Sequence, residues 1–369
     1  MDVRLFQKHE SAVLMQALND LWAKNHILSR DERLLNHMFG DNPVVQRVFG
    51  EKHYGFLGAW LGQEIVGLFG LMAFDFNLYG KHYFGFAPTN WIVAPEQRHT
   101  GAGLKLMRAM MSYNPAVVLN LGINSNVARL YKGMGGYQVI PDVPRWIGVY
   151  DYEQTSQRLL NGNAHAIRYF DTIRKRQQRT NYRVTASFDA DRWDKFHTQW
   201  SVQYVGFSRN SAFIKWRYIN HPTFDYRIFT CEDQSGNFKG LLVIRIESIL
   251  EPEVKIGRIV EFIAADQDSA VQLANQIVGI CEQEMLLFVD FYCFSSMTTW
   301  GLETIGFKRA FKNDADKWVL PTRFQPLDLD VTYMMGALYT SKELQGKIPS
   351  ANDHTWYITK GDADQDRPN

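Results

Sequence analysis

The chain has little that would mark it as secreted, membrane-spanning or nucleic-acid-binding. It carries three cysteines in 369 residues, Cys231, Cys281 and Cys293. That is too few for a disulfide framework, and they lack the spacing of a metal-ligand set. No apolar run approaches the ~18 residues of a membrane span, and the opening Met1-Asp-Val-Arg-Leu5 has no signal-peptide pattern. Lysines and arginines number 40 against 39 aspartates and glutamates, so a net charge of +1 gives no pull toward nucleic acid or an anionic membrane. Hydrophobic residues make up 46% and charged residues 21%, which excludes a disordered chain. A cytoplasmic globular protein with buried, reduced thiols is expected. At this length the chain exceeds one ordinary core, and two domains are expected.

What is present concentrates at Val93-Ala-Pro-Glu-Gln-Arg98-His-Thr-Gly101-Ala-Gly103-Leu104 and the residues that follow. Asn90–Val93 is a short strand-like run. From Leu104, apolar residues recur at Met107, Met110 and Met111, which is helical spacing. Gly101 and Gly103 therefore stand where a strand hands over to a helix N-terminus. Glycine lets the backbone come close to a ligand there. The free first-turn N–H groups and the positive dipole end together suit phosphate. A dinucleotide fingerprint would need a third glycine at position 106, where the chain has Leu106, and the P-loop pattern is absent.

The segment Arg98-His-Thr-Gly101-Ala-Gly103 resembles the Arg/Gln-x-x-Gly-x-Gly/Ala motif of the GNAT acetyltransferase superfamily, with Val93, Pro95 and Leu104 also fitting. A second element follows. Val117–Leu121 reads as a buried strand, Asn124 as a helix cap, and Val127, Leu130, Tyr131 and Met134 as one face of a short helix. This stretch is similar to the superfamily's second motif, with Tyr131 in its tyrosine slot. It departs in ending Gly135-Gly136-Tyr137, one residue longer than the usual Gly-Phe. Without the resemblance, Tyr131 would read as a core aromatic.

The resemblance implies that Ile92, Val93, Arg98, His99, Thr100, Gly101, Ala102, Gly103 and Leu104 bind acetyl-CoA as acyl donor, the amides of the glycine turn cradling its pyrophosphate. It implies that Tyr131, with Asn124 beside it, is catalytic, the phenol protonating the departing thiolate. A general base is not legible: the strand Phe84–Val93 has no acidic residue, which leaves His53, Asp75 and His82 near strand ends.

The surrounding sequence is consistent. Val3–Phe6 is a first strand, an amphipathic helix runs through Leu14, Leu18 and Trp22, and Tyr54–Trp60 with Ile65–Met72 forms a hairpin. The second half looks like a worn copy. Phe224–Phe229 and Phe238–Arg245 repeat the hairpin, Arg258–Ala264 the cofactor strand, Asp266–Ile280 its helix and Leu286–Phe291 the next strand, with Gly306-Phe307 closing the series. Where the glycine turn belongs the chain reads Ala265-Asp-Gln-Asp-Ser-Ala270, whose carboxylates would repel a pyrophosphate.

The expected fold is α/β: two tandem GNAT-like domains, each a mixed, mainly antiparallel sheet flanked by helices. The expected division is a catalytic domain at 1–150, a basic linker at 151–185, a degenerate domain at 186–325 and an extension at 326–369. The linker's cations, Arg168 to Arg183, read as a solvated connecting helix or as phosphate contacts. Ser208–Pro222 reads as a helix turning Phe213 and Trp216 inward with its cations solvated, or as an acceptor pocket. The closing Asp362, Asp364 and Asp366 read as a solvated tail or as a lid over the acceptor site. Both segments resemble those of large acetyltransferase-like proteins of bacterial surface-polysaccharide assembly. That resemblance implies a small-molecule primary amine, such as a nucleotide-linked amino sugar, as acceptor. Two rivals stay open: a non-catalytic acyl-CoA-binding scaffold, and an aminoacyl-tRNA-dependent transferase.

Overall fold

The apolar run from Tyr54 to Leu78 turns back on itself at Gly62 and forms a long hairpin, β2 (His53–Leu61) and β3 (Glu64–Leu78), on which the first half is built. The computed structural model describes residues 1–140, 142–174, 180–250, 253–294, 299–310, 320–324, 327–328, 334–350 and 354–367. Before the hairpin come β1 (Asp2–Gln7) and three short helices, α1 (Ser11–Ala17), α2 (Glu32–Leu35) and α3 (Pro43–Phe49). After it come β4 (Lys81–Val93), α4 (Ala102–Met111), β5 (Val117–Ile123), α5 (Ser125–Met134) and β6 (Tyr137–Ile140).

Next are β7 (Arg145–Val149) and α6 (Tyr152–Leu159), then β8 (Arg183–Thr185), α7 (Ala190–Trp200), β9 (Val205–Phe207) and α8 (Ser211–Ile214). A second long hairpin, β10 (Tyr226–Glu232) and β11 (Phe238–Ile249), leads to β12 (Val254–Ala264), α9 (Gln267–Glu284), β13 (Leu286–Tyr292), α10 (Thr299–Thr304) and β14 (Lys308–Ala310). The chain closes with β15 (Arg323–Phe324), β16 (Leu327–Asp328), β17 (Met335–Thr340) and β18 (Trp356–Tyr357). Among the described residues, no helix is long and apolar enough to cross a membrane.

The two sheets have one strand order. The first runs β1-β2-β3-β4-β5-β17-β6, with β9 joined to β3 and β18 to β9; the second runs β8-β10-β11-β12-β13-β7-β14. In each, the one parallel pair on this path is the central one, β4 with β5 and β12 with β13. In each, the strand after it comes from the other half of the chain. β7 follows β6 in sequence yet pairs with β13 and β14. β17, from the C-terminal extension, inserts between β5 and β6. The end of the first stretch, placed at 150 from sequence, is therefore not the edge of a sheet.

The exchanged strand β7 is held by charge. Asp290 of β13, buried, accepts from Arg145 of β7 at 3.0 Å and from Arg258 of β12 at 2.9 and 2.8 Å. Burial alone would raise this carboxyl, but Arg258 and Arg145 outweigh it and hold it at about 2. Its pKa lies below the ordinary value of ~3.9, so its stabilisation is complete above about pH 4 and is lost as pH falls toward 2. The expected contribution is about 2 kcal/mol. Urea unfolding across this pH range should show that loss in the wild type and a shallower one in Asp290→Asn; parallel curves would count against the assignment.

In the expected linker, Lys175, Arg176 and Arg179 lie outside the described residues. The flanking parts form no connecting α-helix: Thr172 bridges to Val149, and Arg183 opens β8 and pairs with Glu232 at 3.0 Å. The three cysteines are buried thiols in no disulfide, and burial pushes Cys231 up to about 12.

Candidate functional site

β4 and β5 stay paired only over Gly85↔Val117 and Phe86↔Val118; beyond them the strands part. β4 is also bulged against β3: Gly70 faces Thr89 and Leu68 faces Ile92, leaving Asn90 and Trp91 opposite Phe69 alone. Asn90 adopts φ +48°, a region that asparagine tolerates better than most residues. A bulge re-aims side chains. Thr89, Asn90 and Trp91 here line a cavity of about 270 Å³ in the opened wedge, together with Asn120 of β5 and Asn124 and Tyr131 of α5.

Both expected catalytic residues reach this cavity. Asn124 caps α5, its Oδ1 accepting from the N–H groups of Asn126 at 3.1 Å and Val127 at 3.0 Å. It thereby positions the helix that carries Tyr131. Tyr131 is buried, and its hydroxyl donates to Asn120 Oδ1 at 3.1 Å. Burial, then the neighbouring Tyr137, push this phenol above its ordinary value, against the opposing Asn120 bond. It remains a protonated donor at neutral pH.

The expected cofactor-binding residues stand beside the cavity, not in its lining. Arg98, His99 and Thr100 belong to a 3₁₀ turn, Pro95–Thr100, with Arg98 and His99 exposed and Thr100 bonded to Gln97 O at 2.6 Å. Gly101 then takes φ +76° and starts α4, which has no side-chain cap. A Cβ at Gly101 would have no atom within 4 Å, so the approach to the first-turn amides of Ala102, Gly103 and Leu104 is open. That fits a pyrophosphate. Ile92 and Val93 pair with Leu68 and Gly67 on the β3 side. Trp91 links turn and cavity: its Nε1 lies 3.6 Å from where a Gly103 Cβ would be, and its ring centroid is 6.1 Å from that of Tyr131.

The opposite wall comes from the second sheet and the tail. Arg245 and Glu247 of β11 and Arg258 of β12 face in, as do Lys360, Asp364 and Gln365. Gln365 packs against Gly122, whose φ of +75° ends the regular part of β5, and Thr89 Oγ1 donates to Asp364.

No protein-family model matches the chain, and no curated protein matches it in sequence. Solved structures do. A conserved protein of unknown function from Enterococcus faecalis, described as a probable N-acyltransferase, aligns over 91% of this chain and 72% of its own at 13% identity and a TM-score of 0.54. A GCN5-related N-acetyltransferase from Kribbella flavida aligns over 91% and 70% at 14% identity, TM-score 0.55. Saccharomyces cerevisiae N-myristoyltransferase, solved with bound myristoyl-CoA, aligns over 92% and 80% at 10% identity, TM-score 0.54. The likeness shows the fold. The chain has the two-sheet architecture of these structures, as the recurrence of its first half in its second implied.

Other expectations fare differently. The tail is buried, not solvated. Arg209, fully buried, pairs with Glu261 at 2.8 Å and Asp362 at 2.7 Å. Arg217 donates to the carbonyls of Gly361 at 2.8 Å and Asp366 at 2.7 Å. Arg245 and Tyr226 donate to the Asp366 carboxylate at 2.6 and 2.7 Å. The alternating aspartates thus meet arginines, and among the described residues no group of three or more His, Cys, Asp or Glu could hold a metal ion. In Ser208–Pro222, Phe213 and Trp216 pack inward and Lys215 is exposed, as one reading had it, but Arg209 and Arg217 are buried against the tail and line neither solvent nor the cavity.

None of the proposed bases lines the cavity. His53 Nδ1 bonds to Phe49 O at 2.8 Å, Asp75 pairs with Arg47, and His82 is exposed. The acidic groups that do line it are Glu247, which the sequence does not single out, and Asp364, one of the tail aspartates expected either in solvent or in a lid over the acceptor site. In the second half, the turn before α9 is closed. Asp266 accepts from Ser269 N–H at 2.8 Å in a capping box, and Tyr182 donates to Asp266 at 2.9 Å. The wedge beside it is filled by the tail, with Tyr357 donating to Glu261 at 2.7 Å and Cys293 bridging to Thr359.

Proposed function

We propose that this protein is an acyl-CoA-dependent N-acyltransferase that moves an acetyl group from acetyl-CoA to a primary amine. The observation that carries this is the parting of β4 and β5 around Tyr131, with an uncapped, open helix N-terminus on the far side of Trp91. The amides of Ala102, Gly103 and Leu104 hold the donor's pyrophosphate, and the β4 backbone at Ile92 and Val93 holds its acyl arm. Solved neighbours described as N-acetyltransferase and N-myristoyltransferase, the latter with myristoyl-CoA bound, support the donor class. The cavity of about 270 Å³ favours a short acyl group and a compact amine.

In the reaction, the amine nitrogen forms the new C–N bond and the C–S bond breaks. Tyr131 then turns its hydroxyl from Asn120 to the departing sulfur and gives up its proton. Held above ~10, the phenol stays protonated at neutral pH and so can hydrogen-bond and then protonate the departing thiolate. That transfer is uphill, because the thiol's own pKa is about 8.5. The nitrogen's surplus proton leaves to a cavity carboxylate, and solvent returns one to Tyr131. Asn124 keeps α5, and so Tyr131, in place. The second half is structural and supplies the acceptor wall, since its own helix terminus is capped by Asp266 and Ser269. A nucleotide-linked amino sugar as acceptor rests on the sequence likeness alone.

Replacing Tyr131 with Phe removes the proton and keeps the ring. Thiol release with acetyl-CoA should slow by more than tenfold while the calorimetric affinity for coenzyme A stays within about twofold. Equal turnover would remove Tyr131 from the chemistry.

A further inference from the structure

Among the charged side chains facing the cavity, two are buried with few partners of their own. Glu247 is 5% exposed; its carboxylate is ion-paired with Arg245, a guanidinium it shares with Asp366, and has no other partner among the described residues. Lys360 is 7% exposed; its ammonium donates to Thr322 O at 3.2 Å and stands 4.9 Å from the Tyr292 ring centroid, with no carboxylate at ion-pair distance among the described residues. Across the cavity, Asn90 Nδ2 is equally buried and unpartnered. Buried polar groups are almost always satisfied, and charged ones especially so. Of the other charged liners, Arg258 pairs with Asp290, Arg245 with Asp366, Asp364 with Thr89 and Gln365, and Arg367 with His26 and Asp364, while Arg323 is exposed.

We propose that Glu247 and Lys360 are the two poles of the acceptor site, so that the acceptor is an amine that also carries an anionic group, a carboxylate or a phosphate. This rests on the acyltransferase reading above and names its substrate class. The ammonium of the acceptor docks on Glu247, which takes one proton, leaves the nitrogen neutral for attack and passes that proton to solvent, so that a cavity carboxylate is free for the proton the nitrogen sheds after attack. The anion docks on Lys360, with Arg323 exposed beside it at the cavity's edge. Burial, together with the nearby Arg258, already pushes the Lys360 amine well below its ordinary value. An incoming anion relieves both effects and restores the charge.

The test titrates the full-length protein, saturated with coenzyme A, against two matched pairs by calorimetry: phosphoethanolamine with ethanolamine, and β-alanine with 3-amino-1-propanol. In at least one pair the anionic member should bind more than tenfold tighter, and the pair with the larger gap identifies phosphate or carboxylate. Lys360→Met should close that gap, and Glu247→Gln should weaken both members of the pair. Equal affinities within both pairs, or no heat from any of the four, would overturn the proposal. The wild-type comparison decides even if a variant does not fold. The preceding coenzyme A titration separates the two readings: donor binding with no anionic preference sinks this inference and leaves the acyltransferase reading standing.

Discussion

Gly101→Glu is expected to abolish coenzyme A binding while the protein remains folded. Two effects act together, and the structure separates them from a packing defect. Gly101 has φ +76°, which a residue with a Cβ adopts at a cost of about 1 kcal/mol or more. That strain falls on the residue that aims the first-turn amides of α4. The new side chain meets no atom within 4 Å at its Cβ, so no core is disturbed. Its carboxylate then stands in front of the donors and dipole end that would receive a diphosphate. Gly101→Ala carries the strain without the charge and should weaken binding several-fold; Glu should lose it beyond detection. The check is a calorimetric titration of both variants, with thermal unfolding as the folding control. Retained affinity in the Glu variant would place the donor somewhere other than α4.

The readability of this turn and the obscurity of the opposite wall have one cause. The strand–glycine–helix segment is local: Val93 to Met107 states in fifteen consecutive positions what it does. Asn124 and Tyr131 are legible for the same reason, cap and face lying within one helix. The second half is legible as a copy because hairpin, strand and helix recur in order, and the missing glycines at Ala265–Ala270 correspond to a capped helix. What failed to show was non-local. Nothing near Arg145 says that β7 pairs with β13, or near Met335 that β17 lies beside β5. Charges in loops default to the surface in any sequence reading. Arg209, Arg217, Asp362 and Asp366 defeat that default only because they find one another across about 150 residues. One signal was available. Arg245 and Glu247 alternate within the apolar run Leu241–Ile249, and charges on one face of an otherwise buried strand point to a polar interior site.

Arg209→Met should be the most damaging substitution for stability outside the donor site. The guanidinium is completely buried and serves Glu261, Asp362 and the carbonyl of Phe207. Removing it leaves two carboxylates facing each other in a dry interior, and breaking a buried pair by losing one partner costs about 3–5 kcal/mol. Adding Asp362→Asn to that variant should recover part of the loss, because one of the stranded charges is gone. A single Asp362→Asn should cost less than Arg209→Met, since Arg209 keeps Glu261. Urea unfolding of the three variants gives the comparison, and equal midpoints for wild type and Arg209→Met would mean the cluster contributes little. The consequence reaches the cavity. The segment that Arg209 and Arg217 tie down is the one that brings Lys360, Asp364 and Gln365 to the parted strands. Loosening that tie should therefore weaken acceptor binding before donor binding, because α4 and the β3–β4 hairpin share no bond with Arg209. A variant that lost both together would show instead that the two walls of the cavity fold as one unit.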